Sequence, residues 1–162
     1  MLYIPPTSKE VYVSSIVALN IHSPQGTGDW HSSYALMENA FDDIGVYIYG
    51  EKQAHNTNKL LGNLGIIDGT ARLNKMGYYP KHTPTYIAEH PRACVDCLYV
   101  SVLQTGKLGV VMLDEWFPSI EDKESVYALI EVMKPKLNKQ ERENLDKWIA
   151  RNPIIEWVFD SF

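Results

Sequence analysis

The run Pro91-Arg-Ala-Cys-Val-Asp-Cys-Leu-Tyr-Val-Ser-Val-Leu-Gln104 constrains the fold more than any other part of the chain. Proline is pre-organised for the first helical turn, and Gly106 supplies a stop just past the end. Between them Ala93 or Cys94, Cys97, Leu98 and Ser101 recur at three or four residues along one side. A helix this apolar presents little to water, so the spacing predicts a central helix with other elements packed around it.

Those other elements are also predominantly helical by pattern. Trp30, Tyr34, Met37, Phe41 and Ile44 form an apolar stripe, with Glu38, Asn39, Asp42 and Asp43 off it. Ser119-Ile-Glu-Asp122 and Asn138-Lys-Gln-Glu141 both have the grammar of a helix start, with a capping oxygen and an acid three residues on. They introduce helices whose inward sides are Val126, Leu129, Ile130 and Met133, then Leu145, Trp148 and Ile149, closed by Pro135 and by Asn152-Pro153. Asn58–Leu64 and Thr70–Met76 are short helix candidates in a glycine-broken region that wraps the core, and Thr83-Pro84 reads as a further cap. Residues 11–22 carry β-branched content and helical spacing together; Thr7-Ser-Lys-Glu10, another cap pattern, favours helix there. Val46–Gly50 and the segment Lys107–Phe117 read as strands. The expectation is a mainly α (α+β) chain: one compact domain over residues 1–162, with about five to seven helices and two or three short strands.

Composition sets the class of partner. With 162 residues the chain can bury a core without disulfide or metal staples. Its net charge of −5 argues against adhesion to nucleic acid or to an anionic membrane, and both halves are acidic or near neutral: 6 basic against 7 acidic side chains in residues 1–81, then 9 against 13. No apolar run approaches the roughly 18 residues of a membrane span, and the first residues lack the pattern of a secretory signal. Two cysteines give no disulfide framework. These features predict a soluble, cytoplasmic protein of a bacterial or phage system, with no cofactor.

Several constellations invite chemistry. In Ser23-Pro-Gln-Gly-Thr-Gly-Asp-Trp-His-Ser-Ser33, glycines precede a helix start, the arrangement that cradles phosphate. Asp29, however, already supplies negative charge to that helix start, and no full nucleotide-binding pattern is present. Asp29 and His31, two residues apart on a first turn, diverge by roughly 200°, so neither orients the other. The stretch is foremost a cap with Trp30 inward, and His31 is left without a structural task. His82, His90, Cys94 and Cys97 have ligand types for zinc, but the Cys-x2-Cys lies within an apolar helix pattern, where thiols serve as small core residues. Asp114, Glu115 and Glu121-Asp-Lys123 contain the letters of a metal nuclease, with the last three in a helix start where acids are expected anyway. Lys139, Arg142 and Arg151 form a modest basic helix face.

What remains is a surplus of polar-tipped aromatics, ten tyrosines and four tryptophans, the residue types of interface hot spots. Tyr47, Tyr49, Tyr78, Tyr79, Trp116, Trp157 and Phe162 are the expected interaction residues. The sequence therefore favours a protein–protein interaction module, such as an inhibitor, antitoxin-like partner or assembly adaptor, contacting another protein or a second copy of itself through an apolar patch. The alternative is an enzyme acting on a phosphate-containing or nucleotide substrate at the Gly26–His31 loop, with Asp29 and His31 catalytic.

Overall fold

Residues 11–22 resolve their double pattern by using both halves of it. Val11–Val13 is a strand (β1), followed across Ser14 by the helix Ser15–Leu19 (α1). The structure, a computed structural model, describes residues 3–24 and 44–154. Thr7 caps no helix. Its hydroxyl donates to the Pro84 carbonyl at 3.3 Å and accepts the Tyr86 N–H at 2.8 Å, joining the start of the chain to a distant strand. Ser8 Oγ accepts from the N–H groups of Glu10 and Val11, each at 3.2 Å, and turns the chain into β1. A short hydroxyl side chain serves a turn as readily as a cap, so the Thr7–Glu10 pattern was consistent with either.

A 3-10 turn, Ile44–Tyr47, leads into Ile48–Gly50 (β2). Next come Asn58–Leu61 (α2), Ile66–Asp68 (β3), Thr70–Lys75 (α3) and Tyr86–Ala88 (β4). The central helix His90–Leu98 (α4) runs straight on into a π-helical turn, Tyr99–Leu103. After the 3-10 turn Leu108–Val110 come Leu113–Trp116 (α5), Ile120–Met133 (α6), the 3-10 turn Lys134–Lys136, and Lys139–Arg151 (α7). The described residues thus form a mixed α/β architecture, seven α-helices with a four-stranded sheet, where a mainly α chain with two or three strands was expected.

Three strands account for that difference, the first being β1 in the segment where helix was favoured. β3 lies within the glycine-broken region read as short helices only, and Thr83-Pro84 precedes strand β4 instead of opening a helix. Conversely, Lys107–Phe117 is no strand: it folds as a 3-10 turn and α5. Three-residue strands are too short to display a period of two, so their existence rests on the pairing partners.

The sheet order is β2-β1-β4-β3, antiparallel at both outer pairs and parallel between β1 and β4. Alternation sorts its side chains by face. Tyr12, Tyr49, Ala88 and Ile66 enter the main core, which continues through α4, α6 and α7 to Leu98, Ile130, Leu145 and Trp148. Val13, Ile48 and Ile87 enter a second cluster on the other face with Ile4, Val17, Ile21, Ile44 and Leu73. Both faces of the sheet are therefore covered. Within the helical layer, Ser119 accepts the Asp122 N–H, and Asn138 forms a reciprocal capping box with Glu141, as the sequence predicts. At the end of the π turn Asn144 Nδ2 donates to the Leu103 carbonyl at 2.7 Å, providing for a group that helix ends leave without an intrahelical partner.

One edge pairing depends on the absence of a side chain. Gly50 sits opposite Val11 at φ +125°, and a Cβ there would lie 1.8 Å from the Glu10 carbonyl oxygen. Gly50→Ala is expected to destabilise the protein by at least about 2 kcal/mol, combining backbone strain with a clash against main chain. Thermal unfolding followed by far-UV circular dichroism measures this, and an unchanged midpoint would contradict the assigned β1–β2 register.

Candidate functional site

The first concentration of polar chemistry lies on α4, beneath the sheet. Arg92 and Asp96 are one helical turn apart, and with Tyr12, Ser14 and Thr57 they have no solvent exposure at all (0% each). Burying an ion pair is unfavourable unless geometry and hydrogen bonding are nearly complete. Here they are extensive. Arg92 Nε donates to Asp96 Oδ1 at 3.1 Å, Nη1 to the carbonyls of Gly62 at 2.9 Å and Leu64 at 2.6 Å, and Nη2 to Tyr12 Oη at 2.9 Å and Thr57 Oγ1 at 3.1 Å. Asp96 in turn accepts from Tyr12 at 2.8 Å, Ser14 at 2.7 Å and Thr57 at 2.5 Å. Tyr12 and Thr57 each accept from the guanidinium and donate to the carboxylate, so their hydroxyls relay between the two charges.

Gly65 permits the clamp, since a Cβ there would approach Arg92 Cβ to 2.7 Å. With its five side chains fully buried, this cluster joins β1, α2, the 62–64 loop and α4 and has the character of a structural clamp. Beside it, Ser15 sits at φ +59° with its hydroxyl 3.2 Å from Cys97 Sγ. Burial pushes the Cys97 thiol up to about 12 and raises Cys94 well above its ordinary value. Both are neutral core thiols, without the thiolate character that reactivity requires.

The second concentration faces solvent. A cleft of about 490 Å³ opens where the β4–α4 junction, α3 and the start of α6 meet, lined among the described residues by Ser23, Arg72, Glu89, His90, Pro91, Ser119, Glu121, Asp122 and Ser125. Each wall follows from local sequence. Pro91 in the first turn favours a helix start here, with Glu89 as the N-cap and His90 as the first residue of α4, while the Ser119 cap places Glu121 and Asp122 in the first turn of α6. Among the described residues the lining carries three carboxylates and one guanidinium, a net two negative charges, and Arg72 Nη2 already lies 3.6 Å from Glu89 Oε1. Helix starts favour anions, but Glu121 and Asp122 occupy that role at α6.

His90 forms part of this wall and is only 8% exposed. Its Nε2 lies 2.7 Å from the Ile21 carbonyl; a carbonyl only accepts, so Nε2 carries the proton. Burial, the largest influence, holds the imidazole below its ordinary 6.5, against the opposing effect of the Ile21 hydrogen bond. A histidine depressed in the folded state binds fewer protons than the unfolded chain as pH falls through 6.5, so its contribution to stability is present above that pH and lost below it. Urea midpoints measured from pH 7.5 to 5 are expected to fall across this window, and to fall less steeply in His90→Gln. Equal slopes in the two proteins would show that His90 does not titrate in this way.

Among the described residues, those the sequence singled out are not brought to one place. Asp29, His31, Trp157, Phe162 and the whole Gly26–His31 loop lie outside the described residues. Among the described residues, no three His, Cys, Asp or Glu side chains gather into a set that could hold a metal ion. For the zinc candidates in particular, His90 faces the cleft, Cys94 and Cys97 are inside the core, and His82 stands edge-on to Tyr3 with ring centres 6.2 Å apart. Asp114 pairs with Lys123 at 2.7 Å, and Arg142 donates to the carbonyls of Pro135 and Leu137. Of the interaction residues, Tyr49 is buried at the sheet beside His55, Tyr47 and Tyr78 are half-buried against the second cluster, Trp116 is half-buried against the main core, and Tyr79 is 75% exposed.

Sequence reasoning missed both polar concentrations. Arg92 and Asp96 were legible as opposite charges four apart in an otherwise apolar helix, a spacing that places them on one face. The cleft joins residues 23, 72, 89–91 and 119–125 and had no local signal. No protein-family model, no curated protein and no solved structure matches this chain.

Proposed function

We propose that the protein acts by binding another protein, in the manner of an inhibitor, antitoxin-like partner or assembly adaptor, and that the cleft receives a lysine or arginine side chain of that partner. The acidic wall formed by Glu89, Glu121 and Asp122 carries the reading. Its charge agrees with the net charge of −5, which favours encounter with basic partners. Exposed Tyr79 and Tyr3, at 75% and 54%, add amphipathic contact area elsewhere on the surface.

The test is affinity isolation from host extract at low and high salt with mass spectrometry, followed by titration of the retained partner against the native protein and Glu121→Lys. Glu121 is exposed at the first turn of α6, so its reversal is expected to leave stability within about 0.5 kcal/mol. Affinity is expected to fall about tenfold, mainly through slower association, with a weaker dependence on salt. Equal affinity and salt dependence in the two proteins would overturn the cleft as the docking place.

One observation favours the enzyme alternative. Ser23, the first residue of the glycine-containing stretch, lies on the same cleft as His90. That reading predicts stabilisation of the protein by inorganic phosphate or a nucleotide in a thermal-shift titration, lost in His31→Ala. Such a result, with no protein retained from extract, would replace the binding reading.

A further inference from the structure

We draw no further inference here: the strongest candidate, the strained Ser15 at the β1–α1 junction with its hydroxyl against the Cys97 thiol, rests on the start of a five-residue helix and on backbone strain, and nothing in the structure points to a ligand there.

Discussion

Arg92→Leu is expected to destabilise the protein by about 3–5 kcal/mol, the range for removing one partner of a buried ion pair. The loss has two sources. Asp96 is left as a carboxylate without its cation, and the carbonyls of Gly62 and Leu64 lose the Nη1 donor that holds them at 2.9 and 2.6 Å. Domains of ordinary stability have only about 5–15 kcal/mol in total, so a measurable unfolded population at 25 °C is a realistic outcome. Equilibrium urea unfolding is the measurement, with a fall in midpoint of about 1–3 M expected.

Arg92→Lys separates charge from geometry. Lysine keeps the positive charge but cannot reproduce a planar fork directed at a carboxylate, two carbonyls and two hydroxyls. It is expected to recover less than half of the loss. Native stability in Arg92→Lys would show that charge alone matters and that the directed hydrogen bonds contribute little.

The second large effect is expected at the opposite end of the core. Trp148 on α7 is fully buried, stands 6.3 Å from the Tyr127 ring, and donates from Nε1 to the Val111 carbonyl at 2.9 Å. Trp148→Ala removes the indole from a packed interior and is expected to destabilise by about 3–5 kcal/mol. The consequences extend along a polar seam: Asn152 accepts from the Leu113 N–H at 3.0 Å and donates to the Trp148 carbonyl at 2.8 Å, and Tyr127 donates to the Asn152 carbonyl at 2.5 Å. Trp148→Phe is expected to recover much of the packing but leave the Val111 carbonyl without this donor, at about 1–3 kcal/mol. Chemical denaturation of the three proteins checks the order, and a Phe variant no better than Ala would assign the effect to the hydrogen bond instead of to volume.

The helical layer was legible because its signals are local. Ser119 and Asn138 lie three residues from the groups they cap, and Val126, Ile130 and Met133 recur within one helix. The sheet was not, because no three-residue strand declares its partner; Ile66–Asp68 becomes a strand by pairing with Tyr86–Ala88 across intervening helix and loop. Thr7 shows the same limit from the other side: a capping pattern was present, but its hydroxyl serves residues 84 and 86. The candidate site is less legible still. Glu121 and Asp122 read correctly as first-turn acids, yet only tertiary packing places that turn opposite Arg72 and His90.

The parallel pairing of β1 with β4 also sets an order of assembly. β1 draws one neighbour from residues 48–50 and the other from residues 86–88, so both ladders close loops of more than thirty residues before they gain anything from local contacts. Arg92, which anchors the underside of β1, follows β4 by only a few positions. During synthesis, the inner strand β1 thus lacks its β4 neighbour and the Arg92–Asp96 pair beneath it until the segment through Asp96 has followed.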